Sequence, residues 1–525
     1  MNYNVDFGKM TLKEKVLQTF VVSIREINKH GGPQKFFEKY QVGGMYYSQS
    51  DDPDIENRVE MSLPTCQKRL NECKKYSKIP LLVCADGVPL KNQTTDVCVR
   101  SLAGTRSEDD AYNLGKVIGM QMNGNGIDWV LTPAIDMYYS RFGVMEATSD
   151  DPKLTAKIFR NVIRGIQEQG ICATAKHFPG LGTETNINMH IAPSENTLEF
   201  DEWMDSYGYT YKEMFKENLC SVMTTHITLM SFDGEKHDGF YPIATYSEKI
   251  TKGLLKEKLN FGGAVVTDAL IMGGMATGDL IKETVQAFRA GADLLLWPPV
   301  EAADAIVEAI ENGEIPMSRL TDALERIKKM RVFRDVSLNN KVAQNPDVKF
   351  ADSILKDIIG RGVCLRRNDI GLIPIDGNAK KILILDVTDD STAAQQLCDE
   401  FADRGYIVDV DRVIYDTEFR VCWQDDVDDL QEKYDIVLFA VNAEIKQWGE
   451  PMMLIWASHL FDKKKKIIVN FSSPFYADTL FPEDYTIIDA NSIVCAESVR
   501  KIVDGIVGNS AFTGYPAISD KRIIK

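Results

Sequence analysis

The sequence has little positive charge for its length: 60 lysine and arginine residues stand against 77 aspartate and glutamate residues, and the formal net charge is −17. Phosphate binding needs a basic surface, so this balance excludes nucleic acid as an expected partner. The sequence also has no apolar run near the roughly 20 residues that cross a bilayer. We therefore expect no membrane partner either.

The ten cysteines are scattered, and no two of them form a Cys-x-x-Cys pair. This spacing favours reduced, buried thiols over a disulfide framework or a zinc site. The sequence also lacks a Walker loop and a Rossmann glycine fingerprint, so we expect no metal and no cofactor. The stretch from Met1 to Asp6 lacks the basic and apolar regions of a secretory signal, and the expected location is cytoplasmic.

Apolar runs of strand length alternate with helical patterns over the first 330 residues. A first helix is predicted over residues 10–20, where Thr11 and Glu14 have the spacing of a capping box. This alternation predicts parallel βα units, and about eight of them predict a (β/α)₈ TIM-like barrel. The predicted strands cover residues 42–47, 80–85, 127–133, 171–175, 221–225, 263–267 and 292–297.

A second strand-and-helix pattern begins near residue 353. Its predicted strands, at residues 381–385, 406–410, 436–441 and 466–471, alternate with helices. This pattern predicts a three-layer α/β/α sandwich of about the size of a single core. The predicted domains are a catalytic barrel over residues 1–335, a linker over 336–352 and a sandwich over 353–525.

Ionisable residues stand at the ends of four predicted barrel strands. The active sites of (β/α)₈ barrels lie at the carboxyl ends of the strands, so we expect these side chains to converge on a site. They are Asp86, Lys176, His177, His226 and Asp268.

Two of these residues, Lys176 and His177, are neighbours in one strand, where successive side chains face opposite sides. Both can face inward only if the strand turns, and Pro179-Gly180 favours such a turn. The other interpretation of His177 is a hydrogen-bonded core histidine. Asp268 could attack an anomeric carbon or could cap the helix that follows.

A polar loop after this strand ends at His190. A core role is disfavoured in such a loop, and histidine both donates and accepts protons near neutral pH. His190 is therefore a candidate general acid and base.

The segment 176–182, Lys-His-Phe-Pro-Gly-Leu-Gly, resembles the signature of glycoside hydrolase family three, and most resembles its β-N-acetylhexosaminidase branch. Other blocks are similar to those of the family, including two-domain members. They are residues 223–226 with 242–247, 266–272, 290–293, 366–368 with 372–375, and 514–516.

This resemblance implies an exo-acting, retaining β-glycosidase, of the β-N-acetylglucosaminidase type, that removes terminal sugars from a small carbohydrate substrate. It implies that Asp268 forms a covalent glycosyl-enzyme and that His190 is the acid/base. It also implies sugar contacts from Asp86, Lys176, His177 and His226. A homodimer is left open.

The sequence departs from the family pattern in three places. Asn188 stands where the family has the Asp partner of the loop histidine, and Glu184 is a candidate to replace that partner or the acid itself. Glu146 aligns with a sugar-binding Arg, so Glu146 or Arg141 is expected to contact the sugar. Residues 86–89, Asp-Gly-Val-Pro, replace the usual Asp-x-Glu-Gly-Gly.

These departures keep alternatives open. One is a β-glucosidase or a glycoside phosphorylase of the same family, with Glu450 as a candidate acid in the second domain. Another is a catalytically impaired, sugar-binding relative.

Overall fold

The structure is a computed structural model that describes residues 3–47, 63–86, 94–139, 147–181, 183, 190–236, 239–275, 278–339, 348–388, 392–411, 424–442, 458–475 and 485–519. The chain divides into two compact units. The first comprises Met1–Asp96, Ala111–Met137 and Pro152–Ala351, and the second comprises Val97–Asp110, Tyr138–Asp151 and Asp352–Lys525. The domain boundaries at 335 and 353 stay a prediction, and the second unit also takes two segments from the N-terminal part.

The first unit is built on an eight-stranded parallel sheet with the order β10-β1-β2-β3-β4-β5-β7-β9. A parallel bridge from Val266 of β9 to Leu294, next to β10, joins the two ends. This sheet confirms the predicted TIM-like barrel. Its strands are β1 (Phe20–Ser23), β2 (Gly44–Tyr46), β3 (Leu82–Ala85), β4 (Trp129–Val130), β5 (Cys172–Phe178), β7 (Ser221–Thr224), β9 (Ala264–Thr267) and β10 (Leu295–Leu296). The short strands β6 (Ser194–Asn196) and β8 (Ile227–Leu229) pair with each other.

The start of the barrel differs from the prediction. Thr11 and Glu14 do form a capping box, but the helix spans only Leu12–Leu17. The next residues, Phe20–Ser23, form β1, which pairs with both β10 and β2. The predicted helix over residues 10–20 was therefore too long, because pairing on both sides stabilises the extended backbone of this short apolar run.

Amphipathic helices cover the barrel. In Pro152–Glu168 the buried residues Ile158, Phe159, Val162 and Ile166 recur with helical spacing and form one apolar face. The other helices of the first unit are Leu12–Leu17, Ile24–Lys29, Gly32–Lys39, Leu63–Tyr76, Phe200–Trp203, Tyr209–Phe215, Leu280–Ala290, Ala302–Glu311 and Met317–Asn339, with π-helical turns at Met204–Gly208 and Lys249–Lys258. Three more helices, Thr94–Thr105, Glu108–Gly124 and Val348–Gly362, have residues in both units. Within the described ranges, no helix is long and apolar enough to cross a membrane.

Side chains from all eight strands fill the barrel interior. They include Val21, Tyr46, Leu82, Trp129, Cys172, Met223, Val266 and Leu296, which belong to one buried cluster. The indole of Trp129 donates hydrogen bonds to the hydroxyls of Thr174 (2.6 Å) and Ser221 (3.0 Å). The barrel is thus a packed core rather than a pore, and a ligand has room only at its ends.

The second unit contains a six-stranded sheet with the order β11-β16-β15-β14-β12-β13, in which only the β11–β16 pair is antiparallel. Alternate residues of β12 pack into different apolar clusters, Ile382 and Ile384 on one face and Leu383 and Leu385 on the other. The predicted three-layer sandwich is confirmed. Its strands are β11 (Cys364–Arg367), β12 (Lys381–Thr388), β13 (Ile407–Asp411), β14 (Ile436–Asn442), β15 (Lys466–Asn470) and β16 (Thr486–Asp489), and its helices include Thr392–Ala402, Gln424–Lys433 and Ala496–Ile506.

The two early segments of the second unit are bonded to its late residues. The Ser101 hydroxyl donates to the Asn491 carbonyl oxygen (2.8 Å), and the Asp150 carboxylate accepts from the Ser519 backbone N–H (3.0 Å). The Tyr138 ring packs edge-on against Phe475, with the ring centroids 5.8 Å apart. These contacts join residues that are more than 300 positions apart in the sequence.

Candidate active site

Asp268 directly follows β9 at the carboxyl end of the barrel sheet. The Thr225 hydroxyl donates to its Oδ2 (2.7 Å), and the backbone N–H of Ala269 donates to its Oδ1 (2.8 Å). The backbone N–H of Asp268 donates to the Thr224 carbonyl oxygen (2.8 Å), so β7 and β9 hold the residue together. The residue is 9% exposed. Both carboxylate oxygens are therefore oriented by the protein, at the end of the barrel where substrates bind.

Lys176 and His177 both contribute to this end of the barrel. The pairing of β5 with β7 shifts between Ala175 and Phe178, so that three steps along β5 match two along β7. Such a bulge interrupts the alternation of side chains between the two faces. The turn that the sequence predicted is thus accompanied by an irregularity inside the strand itself.

The Pro-Gly turn after β5 is fixed by close packing. Gly180 has a φ of +119°, and a Cβ atom at this position would lie 2.4 Å from the Tyr207 ring. Only glycine accommodates both this positive φ and the close contact of the Tyr207 ring with the backbone. The Asn196 amide also donates to the Gly180 carbonyl oxygen (2.9 Å). The glycine of the sequence signature therefore has a steric reason.

His177 is buried and bonded to Asp136. Its Nδ1 lies 2.7 Å from Asp136 Oδ2, and the other oxygen of Asp136 accepts from the Leu181 backbone N–H (2.8 Å). Burial acts to lower the pKa of His177, but the charge and hydrogen bond of Asp136 outweigh it, and the pKa is raised. Because the Asp136 carboxylate can only accept, Nδ1 carries a proton, and Nε2 faces a substrate as an acceptor in the neutral ring and as a donor in the protonated ring.

The Asp136→Asn variant should lower the His177 pKa by about one unit or more, because an opposite charge at this distance raises it by that order. Imidazole titration by NMR measures this shift. Because the folded pKa is raised, the pair stabilises the protein fully below the unfolded pKa of about 6.5, and this contribution is lost as the pH rises through the folded pKa. The difference in free energy of unfolding between wild type and variant should shrink over that range.

A matched control for this titration is Glu26→Gln, which removes the carboxylate 3.2 Å from another histidine, His30. It should leave the His177 titration unchanged. An unchanged His177 pKa in Asp136→Asn would contradict the assigned cause.

Lys176 and Asp86 form an ion pair beside the mouth of the barrel. Lys176 Nζ lies 3.1 Å from Asp86 Oδ1, and the Tyr46 hydroxyl donates to Asp86 Oδ2 (2.7 Å). The Asp86 side chain is 55% exposed, whereas that of Lys176 is 11% exposed. Trp297, directly after β10, packs edge-on against the Tyr46 ring with centroids 5.2 Å apart. The accessible carboxylate of Asp86 is therefore held in place and can accept hydrogen bonds from hydroxyl groups.

His226 is fully buried, and both of its ring nitrogens are bonded within the protein. Nε2 lies 3.2 Å from the Ala269 carbonyl oxygen, so it carries the proton, and Nδ1 lies 3.1 Å from the Thr245 hydroxyl. Burial lowers the pKa of His226, which keeps the ring neutral at pH 7. This geometry corrects the expected sugar contact: His226 supports the backbone after Asp268 and has no ring nitrogen left for a substrate.

The electrostatic surroundings of Asp268 favour its ionised form. Burial acts to raise the pKa of Asp268, but the nearby His177, His226, Thr225 hydroxyl and Lys176 together hold it below its usual value. Positive charge near Asp268 comes from Lys176 and, in its protonated form, from His177. A buried carboxylate that stays ionised is suited to nucleophilic attack.

His190 is exposed and lies beside the loop that follows Asp268. Its carbonyl oxygen accepts from the Gly273 backbone N–H (2.9 Å). The backbone bond thus connects the loop of His190 to the loop of Asp268.

Five candidates from the sequence lie outside the described residues. They are Arg141, Glu146, Glu184, Asn188 and Glu450. Their roles stay predictions.

The structure adds three site residues that the sequence did not single out. Asp136, Thr225 and Tyr46 bind His177, Asp268 and Asp86, respectively. Each stands at or just past the carboxyl end of a barrel strand, and this position could have marked it as a candidate site residue in the sequence. Their partners are distant in the sequence, however, so only the fold identifies the pairs.

Among the residues that the structure describes, one group has the composition of a metal site. Ligand atoms of Glu26, His30 and Glu301 lie within 4.8 Å of one another. The Lys29 ammonium lies 3.6 Å from Glu26 and 3.9 Å from Glu301 and partly balances both carboxylates. The ion pairs account for this cluster without a metal.

Comparison with known families gives one match over most of the chain. The model described as the glycosyl hydrolase family 3 N terminal domain matches residues 11–330. A Cellulomonas fimi protein named β-N-acetylglucosaminidase/β-glucosidase is 25% identical over 440 residues, which is 76% of each chain.

Solved structures share the fold over nearly the whole chain. A β-glucoside phosphorylase, BglX, has a TM-score of 0.79 at 20% identity and covers 99% of this chain and 97% of its own. A β-N-acetylglucosaminidase from Paenibacillus sp. str. FPU-7 has a TM-score of 0.77 at 21% identity, with coverage of 97% and 99%. At these identities the likeness establishes a shared two-domain fold.

Proposed function

This chain belongs to glycosyl hydrolase family 3, and on that premise we propose that it is an exo-acting, retaining β-N-acetylglucosaminidase. The observation that carries the proposal is Asp268, an oriented and ionised carboxylate at the carboxyl end of the barrel. The name of the Cellulomonas fimi relative supports the choice of sugar.

The proposed reaction has two steps. Asp268 attacks the anomeric carbon and forms a C–O bond, while the bond to the leaving oxygen breaks and His190 gives that oxygen its proton. A water molecule then attacks the same carbon, His190 takes its proton, and the electron pair of the ester bond returns to Asp268. Two inversions give net retention.

The sugar contacts that we propose come from three side chains. Asp86 accepts hydrogen bonds from sugar hydroxyls, Lys176 donates from its ammonium, and the protonated His177 ring donates from Nε2 while Asp136 holds its Nδ1. Arg141 or Glu146 is proposed as a fourth sugar contact, and this part of the proposal is based on the family resemblance alone.

The acid/base assignment rests on the position of His190 beside the Asp268 loop. A neutral Asn188 can orient an imidazole but cannot stabilise its charged form. We therefore keep Glu184 as the alternative proton donor or partner.

Phosphorolysis is the second candidate function. The observation that favours it is Asn188, because the family resemblance predicts an acidic residue there, and a neutral one repels an anionic acceptor less. In that case inorganic phosphate replaces water in the second step and the product is a sugar 1-phosphate. β-Glucosidase specificity is tested by the same experiment.

The test is a panel of aryl β-glycosides with and without phosphate, with product analysis. We expect the β-N-acetylglucosaminide to have the highest kcat/KM, with free sugar as the product in both buffers. Faster cleavage of the β-glucoside would identify the enzyme as a β-glucosidase instead. A sugar 1-phosphate as the product would identify it as a phosphorylase. Absence of turnover with every glycoside would contradict enzymatic glycosidase function and favour a sugar-binding protein.

We also propose a cytoplasmic location. The supporting observation is that Cys73, Cys84, Cys172, Cys220 and Cys364 are buried free thiols, as is usual in reducing compartments. Cell fractionation tests the location, and light scattering tests the homodimer that the sequence left open.

A further inference from the structure

The Asp268 carboxylate receives a side-chain hydrogen bond from one hydroxyl, that of Thr225. The Thr225 Oγ1 to Asp268 Oδ2 distance is 2.7 Å, and Thr225 is fully buried. A carboxylate cannot donate, so the hydroxyl is the donor. A hydrogen bond to a charged acceptor is stronger than one between neutral groups.

The backbone holds this hydroxyl in place from two sides. The Thr225 backbone N–H donates to the Phe178 carbonyl oxygen of β5 (3.0 Å), and the Thr224 carbonyl oxygen accepts from the backbone N–H of Asp268, directly after β9 (2.8 Å). A β-branched side chain also has few χ1 rotamers. The hydroxyl is thus fixed relative to the carboxylate before any substrate binds.

We propose that Thr225 is a positioning residue for Asp268 and that its hydroxyl favours the return of the carboxylate in the second step of the reaction. The inference rests on the proposed function and deepens it. Its chemistry follows from the change in charge on Asp268 during the two steps.

In the first step Asp268 loses its negative charge as it bonds to the anomeric carbon, so the hydrogen bond from Thr225 weakens. In the second step the ester bond breaks, its electron pair returns to the carboxylate, and the hydrogen bond strengthens again. Stabilisation of a departing carboxylate accelerates its departure. Loss of the hydroxyl therefore slows the second step more than the first.

The experiment compares Thr225→Val with wild type on 2,4-dinitrophenyl β-N-acetylglucosaminide, whose leaving group makes the second step rate-limiting. We expect kcat to fall about tenfold and KM to fall with it, so that kcat/KM changes less than about threefold. The apparent pKa of the acid limb in the pH profile of kcat/KM should rise by about one unit, because the ionised form of Asp268 loses a hydrogen bond. The burst of dinitrophenolate should persist.

Two further variants separate positioning from general stability. Thr225→Ser keeps the hydroxyl and should restore both kcat and the acid limb. Thr284→Val is the matched control, since Thr284 is equally buried but its hydroxyl donates to the Leu280 carbonyl oxygen of its own helix (2.6 Å). It should leave both readouts unchanged.

An unchanged acid limb and kcat in Thr225→Val would overturn the inference, and so would equal losses of kcat and kcat/KM without a shift of the limb. If Thr225→Val does not fold, Thr225→Ala and Thr225→Ser give the same comparison. The proposed function fails separately, through absence of a burst in the wild-type enzyme.

Discussion

Replacing Asp268 with Asn is expected to lower kcat/KM for aryl β-N-acetylglucosaminides by at least about 10⁴-fold, the scale on which removal of a catalytic nucleophile acts. The amide keeps the size of the side chain and an oxygen for Thr225, but it has no negative charge for the anomeric carbon. The loss should appear in kcat more than in KM. Steady-state kinetics after verification of folding by circular dichroism gives the measurement.

A shorter variant, Asp268→Ala, adds a positive test. Azide can occupy the vacated space and attack the anomeric carbon directly, so we expect partial recovery of rate and an α-glycosyl azide as product. Asp233→Asn is a matched control, because Asp233 is also buried but bonds to Ser247. It should keep near-wild-type activity. Wild-type rates in Asp268→Asn would refute the assignment of the nucleophile.

The second large effect is expected from His190→Ala. Loss of a general acid costs about 10²- to 10⁴-fold for substrates whose leaving group needs a proton, such as a disaccharide. A dinitrophenolate leaves without that proton, so its kcat/KM should fall less than about tenfold. The dependence of rate on leaving group, measured over a series of aryl glycosides, should therefore become steeper.

The controls for His190→Ala use the same loop. Ile191→Ala removes an exposed neighbour and should leave the leaving-group dependence unchanged. With the dinitrophenyl substrate, azide should accelerate the second step of His190→Ala and give a β-glycosyl azide. If Glu184→Gln shows these effects and His190→Ala does not, Glu184 is the acid/base.

Much of the barrel was predictable because its strands are short apolar runs that end in ionisable residues. The carboxyl-end positions of Asp86 and Asp268 followed from that pattern and the general rule for such barrels. The capping box of Thr11 and Glu14 was also predictable, since it depends on residues three positions apart.

Other features depend on contacts that local sequence does not contain. The strand Phe20–Ser23 exists because β10 and β2 pair with it, and β10 is more than 270 residues away. The bulge at Lys176 and His177, which interrupts the alternation of side chains along β5, depends on the register against β7. The effect of Asp136 on His177 depends on the packing of β4 beside β5.

The same limit applies to His226. Its position at a strand end suggested a sugar contact, but its two hydrogen bonds to Thr245 and Ala269 engage both ring nitrogens. Sequence position predicts which residues converge on a site. It does not predict which of them are already engaged by neighbours.

The interleaved second unit has a consequence for synthesis on the ribosome. Ser101 is made 390 residues before Asn491, whose carbonyl oxygen accepts its hydrogen bond. At about 5–20 residues per second, Ser101 waits roughly 20–80 s for this partner. A nascent chain that stops after the barrel sequence therefore carries the segments Val97–Asp110 and Tyr138–Asp151 without the later residues of the second unit to which they bond. Correct folding of the second unit must therefore await synthesis of Asn491 and Ser519, which bond to these segments.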